Sequence, residues 1–151
     1  MEATETTQAT PSGAPEASTS GSAGQQQQDF LVQYVVVRKD LWTGLKWPLG
    51  SVAAQACHAS VAAVWKWRDD ADTIAYLSDD NLDHMRKVVL EVKDEAQLRK
   101  LADQLTSGGI KHKLWIEQPE DYPTCLAIKP YPKSVVAQYF KKFQLSKAHI
   151  G

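Results

Sequence analysis

The stretch Phe30-Leu31-Val32-Gln33-Tyr34-Val35-Val36-Val37 constrains this chain most. It is rich in β-branched residues and almost wholly apolar, which fits a central strand covered on both faces. The next segment narrows the choice. A loop holding Trp42, Gly44, Lys46, Trp47 and Pro48 leads to Gly50, and a helix is expected from about Ser51 to Trp67. That helix begins with small residues, Ala53, Ala54, Ala56 and Ala59, which let it pack closely on a sheet. Ser51, Gln55 and His58 are spaced four and three apart, so one helical face carries all three.

The rest of the chain repeats the alternation. Asp72 to Leu77 reads as a short helix, and Arg86 to Val92 as a second strand. Asp94 is a good N-cap for a helix whose Leu98, Leu101, Ala102 and Leu105 form one apolar stripe, stopped by Ser107-Gly108-Gly109. Lys111 to Glu117 alternates and so reads as a strand near an edge. The loop Gln118 to Pro123 joins it to a fourth strand, Thr124 to Ile128, and the short link fits antiparallel neighbours. Pro130-Tyr131-Pro132 introduces a last helix with Val135, Val136, Tyr139, Phe140 and Phe143 on its apolar face. This order predicts a three-layer α/β/α sandwich on a mixed, mostly parallel four-stranded sheet. Sites in such folds gather at strand C-termini and helix N-termini, here residues 38 to 51 and the loop 118 to 124.

Composition matters at the two ends. Met1 to Gln28 has no large apolar residue after Met1 and ends in four glutamines, so it is expected to be a disordered tail, with one folded domain over 29–151. The tail holds Glu2, Glu5 and Glu16 and no Lys or Arg, unlike a signal or transit peptide. The chain as a whole carries −1, so the remainder carries +2. No acidic side chain comes after Asp121, whereas Lys129, Lys133, Lys141, Lys142 and Lys147 do. That pattern suits an anionic partner or a solvated basic helix. No apolar run reaches membrane-spanning length. Cys57 and Cys125 read as packed thiols in a reducing, cytoplasmic setting. Neither they nor His84, His112 and His149 have metal-ligand spacing, and no metal or other cofactor is expected.

Arg38-Lys39-Asp40-Leu41, Gly50, Ala53-Ala54-Gln55, His58-Ala59, Lys87-Val88-Val89, Asp94-Glu95, Gln118, Thr124 and Pro130-x-Pro132 together resemble the type II peptidyl-tRNA hydrolase family. The likeness runs over about residues 31 to 145 and is nearest to the eukaryotic peptidyl-tRNA hydrolase domain-containing branch. It implies a compact α/β fold and metal-free hydrolysis of the ester between a peptide and the 3′ ribose of tRNA. The family's Gln and His match Gln55 and His58, and its Thr matches Thr124. Its Lys after the helix-opening Gly is Ser51 here. Its Asp after Gln118 is Pro119, which leaves Asp121 or Glu120 to supply a carboxylate.

Each position has a plainer reading beside this one. Ser51 reads as the helix N-cap or as a contact to RNA, and it is about 10 Å along the helix from His58, too far to form a nucleophile pair. Gln55 orients water or ties a loop. His58 acts chemically or is a buried strand contact. Asp40 anchors its loop. Trp47 offers a stacking surface for a tRNA base. Lys46, Lys133, Lys141 and Lys142 contact tRNA phosphates or are solvated. Two functions remain: a peptidyl-tRNA hydrolase using Gln55, His58, Thr124 and Asp121, or a catalytically impaired relative that binds RNA or protein.

Overall fold

The computed structural model describes residues 29–147. The expected tail over 1–28 and the last four residues lie outside the described residues.

Strand β1, Leu31–Arg38, is the organising element, and all but its first residue are buried. Its pleat feeds two cores. Val32, Tyr34 and Val36 enter one, and Val35 and Val37 enter the other. Helix α1 (Asp40–Thr43) and helix α2 (Leu49–Lys66) come next. Ala59 and Ala63 of α2 are fully buried and meet Cys125 and Ala127 of the sheet, so small residues face small residues. A short helix α3 (Ala71–Tyr76) is capped by Asp70, whose side chain accepts from the Asp72 N–H.

Strand β2 (Lys87–Val92) runs parallel to β1. Helix α4 (Glu95–Ser107) is capped by Asp94, and Leu98, Leu101, Ala102 and Leu105 are its buried stripe, as their spacing predicts. Beyond its end Gly109 takes φ +69°, which glycine adopts without steric cost. Strands β3 (His112–Glu117) and β4 (Tyr122–Ile128) are antiparallel neighbours, with β3 at the sheet edge. The two-residue strand β5 (Tyr131–Pro132) leads into helix α5 (Lys133–Phe140), and β6 (Gln144–Leu145) closes the order.

The α/β class and the mixed sheet are as expected, but the sheet has six strands rather than four. Its order is β3-β4-β1-β2-β6, with β5 pairing β1 outside that path. Among the described residues only β1 and β2 are parallel; the other pairings are antiparallel, so the sheet is not mostly parallel. The two added strands are two residues each, too short to carry a period. Helices α4 and α5 cover one face, where Tyr34 stacks on Phe140 at 4.3 Å between centroids. Helices α1 and α2 cover the other, over β1, β4 and β3. No helix among the described residues is long and apolar enough to cross a membrane.

Candidate active site

Helix α2 starts at Leu49, two residues earlier than expected. Pro48 is its N-cap, with extended ψ of 152° and no side-chain cap bond. Ser51 therefore lies inside the first turn, and its N–H is taken by the Pro48 carbonyl at 3.0 Å. Ser51 is thus not the cap that its position suggests. Its side chain instead lines an open cleft of about 450 Å³, with Trp47, Gln55 and His58 on the same wall.

Gln55 is buried, because its position on α2 aligns with Ala59 and Ala63 on the sheet-facing side. There it meets Thr124, the third residue of β4 and fully buried. The Thr124 hydroxyl donates to Gln55 Oε1 at 2.7 Å. With that oxygen engaged, the amide nitrogen is the group left to face Glu117. Glu117 closes β3, and its carboxyl is held below the ordinary glutamate range. The Gln55 amide is the leading cause; the Trp115 indole, the Gln118 N–H and the charge of His58 add to it, against the opposing effect of burial. Trp115 Nε1 lies 3.3 Å from Glu117 Oε2.

His58 is exposed rather than buried against a strand. Its ring stacks on Trp115 with centroids 4.6 Å apart and planes 15° apart. The stack holds the imidazole over the cleft while leaving its edge open. Cys57, expected in the core, is exposed, since the buried side of this helix is the one carrying Gln55.

The loop between β3 and β4 is fixed from behind by Arg38. This buried guanidinium donates to both carboxylate oxygens of Asp40, at 3.0 and 2.8 Å, and to the Pro123 carbonyl at 2.9 Å. It also sits 5.1 Å from the Tyr122 ring centroid. Asp40 anchors its loop, as its position suggests. Arg38 ties the end of β1 to the residue directly before Thr124.

The carboxylate beside Gln55 is therefore Glu117, which is not among the residues expected from sequence. The signal was present: Trp115 and Glu117 are two apart on an alternating strand and share a face. Asp121 turns the loop with φ 56° and accepts from Gln118 Nε2 at 3.3 Å, so it closes the loop on itself. Glu120, not Asp121, lines the cleft. Lys46 lies next to Trp47, with its ammonium donating to the Thr43 carbonyl at 3.0 Å. Lys133, Lys141 and Lys142 belong to α5 and its end, on the opposite face of the sheet, and the fold does not bring them to the cleft. Among the described residues no group of three or more His, Cys, Asp or Glu could hold a metal ion.

A family model described as Peptidyl-tRNA hydrolase PTH2 matches residues 31–146. Proteins of mouse and human, each named "Putative peptidyl-tRNA hydrolase PTRHD1", are 52% identical over 122 residues, covering 80% of this chain and 86% of each relative.

Proposed function

This chain belongs to the peptidyl-tRNA hydrolase PTH2 family, and from that premise we propose that its cleft hydrolyses the ester joining a peptide to the 3′ ribose of tRNA. The observation that carries the proposal is the 2.7 Å hydrogen bond from Thr124 to Gln55 in a cleft that Glu117 also lines, with the Gln55 amide the leading influence that holds the Glu117 carboxyl low. It holds an ionised carboxylate and an oriented amide at the mouth of an open cleft. In the proposed reaction a water held by Gln55 and Glu117 attacks the ester carbonyl carbon and gives its proton to Glu117. The new carbon–oxygen bond forms as the carbonyl electron pair moves onto its oxygen, and the return of that pair breaks the bond to the ribose oxygen. The His58 imidazolium donates a proton to the departing 3′ oxygen. Peptide acid and tRNA leave, and proton exchange with water resets both groups.

Trp47 supplies an aromatic wall on which the terminal base stacks. Lys46 at its side engages a phosphate of the acceptor end, and Ser51 offers its hydroxyl within the cleft. A cytoplasmic setting fits both the substrate and the exposed thiol of Cys57. One observation favours the second reading, a relative that binds RNA or protein without turnover. Where the family has Lys and Asp, this chain has Ser51 and Pro119, and among the described residues no Lys or Arg lines the cleft.

The experiment is ester release from an N-acetylated aminoacyl-tRNA. Turnover is expected, and Glu117→Gln lowers kcat by roughly 10²- to 10⁴-fold, the usual worth of a positioned general base. Release no faster than in buffer at micromolar protein would leave the binding reading standing.

A further inference from the structure

One side chain behind the cleft touches both groups to which the proposed reaction gives a proton-transfer role. Trp115 stacks its ring on His58, and its indole N–H donates to Glu117 Oε2 at 3.3 Å. His58 and Glu117 line the cleft, but Trp115 is not among its lining residues. Its ring packs instead against the core that holds Val37, Ala59 and Cys125. The strand register shows how this arrangement arises. Trp115 pairs with Cys125 but Ile116 pairs with Pro123, so Thr124 has no opposite residue. This is a β-bulge, in which one strand carries an extra residue and a side chain is re-aimed. Unbroken alternation along β4 would turn Thr124 to the α4 side with Leu126 and Ile128, while Cys125 and Ala127 face α2. The bulge brings Thr124 round to Gln55 on the α2 side. Trp115 and Glu117, two apart on β3, share a face on that same side.

We propose that Trp115 is a positioning residue that holds the proton acceptor and the proton donor of this site in one fixed geometry, from behind the cleft and without touching substrate. The inference rests on the proposed function, in which Glu117 takes a proton from water and His58 gives one to the ribose oxygen. An indole suits the task because it offers two separate contacts. Its face holds the imidazole, and its N–H, a donor with no acceptor capacity, favours an ionised carboxylate. The other groups that bear on Glu117 are the Gln55 amide and His58 from α2 and the Gln118 N–H. Tyr122 is its register partner on β4, and Glu120 shares the cleft.

Two substitutions separate the two contacts. Trp115→Phe keeps a ring for His58 to stack on and removes the N–H, whereas Trp115→Leu removes both. In the free protein, NMR follows the carboxyl carbon of Glu117 and the ring protons of His58. Both variants should move the Glu117 titration to higher pH, toward the ordinary 4.5 of a glutamate. Only Trp115→Leu should abolish the ring-current shift of the His58 protons. With an N-acetylated aminoacyl-tRNA, kcat should fall while KM stays the same. The fall should reach roughly 10²-fold in Trp115→Leu, the cost of a misplacement of about 1 Å, and be smaller in Trp115→Phe. If Trp115→Leu does not fold, the nuclear Overhauser contact between the two rings in the wild type takes its place, and absence of that contact overturns the proposal. A Glu117 titration identical in Trp115→Phe and wild type overturns it too, even if Tm falls, because a purely structural tryptophan would lower Tm and leave the titration alone. A rise in KM at constant kcat would put Trp115 on the substrate and overturn it as well. Signals that move as expected in a protein that releases no ester keep the positioning of Glu117 and His58 and remove only the catalytic reading.

Discussion

Replacing Thr124 by valine tests the part of the site on which the catalytic proposal depends. Valine keeps the shape of threonine and removes only the hydroxyl. Thr124 is 0% exposed and Gln55 4%, so water does not replace the lost donor. The 2.7 Å bond disappears and Gln55 Oε1 is left buried without a partner. Such an orphaned acceptor costs about 1–3 kcal/mol. At roughly 4 °C per kcal/mol for a domain of this size, Tm should fall by about 4–12 °C.

A second consequence is electrostatic. Without the Thr124 hydroxyl, the Gln55 amide is free to turn, and Glu117 loses the leading influence that holds its carboxyl low. A lowered carboxyl contributes stability above its unfolded value and loses that contribution as pH falls through its folded value. In Thr124→Val the folded value should rise toward the ordinary 4.5 of a glutamate. The acid limb of kcat/KM, and the carboxyl carbon shift of Glu117 seen by NMR, should move to higher pH. Thr124→Ser keeps the hydroxyl and should leave the titration of Glu117 where it was, at the cost of one methyl contact. If Thr124→Val melts with the wild type, or if Glu117 titrates identically in the two proteins, Thr124 does not position Gln55 and the reasoning is wrong.

Other consequences are simpler to measure. Arg38→Met removes the bonds to Asp40 and to the Pro123 carbonyl and should cost about 2–4 kcal/mol in urea unfolding, since one partner keeps some access to water. Lys129 is buried against Asp70 and Asp72. Burial raises the Asp70 carboxyl, but Lys129, the Asp72 N–H and Lys111 together outweigh it and the net shift is downward. The pair therefore stabilises above the ordinary aspartate value and fades as pH falls below it. The stability gap between wild type and Lys129→Met should be wide at pH 7 and narrow at pH 3. A thiol reagent should label Cys57 alone in the native protein, because burial both hides Cys125 and pushes its thiol up; two rapid thiols without denaturant would contradict the core packing.

The alternation of strands and helices is legible because each large element carries its own period: the continuous apolar run of β1, the stripe at Leu98, Leu101, Ala102 and Leu105, and the alternation of β3. Strands β5 and β6 are not, since two residues have no period and their pairing depends on the partner strand. The helix carrying Gln55 departs from expectation in one respect. Polar side chains ordinarily mark the open face, yet Gln55 faces the sheet because Thr124 satisfies its amide oxygen there. Cys57 consequently faces solvent. The same contact explains why the site can be recognised but not assembled from sequence. Gln55 and Thr124 are 69 residues apart, and only the pairing of β4 with β1 brings them together. Charge alone groups the late lysines with the site, whereas the two-sided sheet sends α5 to the other layer.

Charge in the cleft bears on how an RNA substrate would enter it. Among the described residues the lining includes Glu117, Glu120 and His58, and no lysine or arginine. A phosphate on the cleft floor would meet carboxylates at close range, with unfavourable electrostatics in a partly desolvated space. The groups suited to the floor are the neutral ones at the end of an acylated tRNA: the ester, the ribose hydroxyl and the base. On the proposed function phosphates stay outside the rim, and Lys46, the neighbour of Trp47 in sequence, is the cation proposed to meet them. Ser51 then has a consequence beyond a lost charge. A lysine there would put a cation in a cleft that Glu117 and Glu120 also line. With serine, Glu117 stays ionised through the Gln55 amide, the Trp115 indole and the Gln118 N–H, helped by His58.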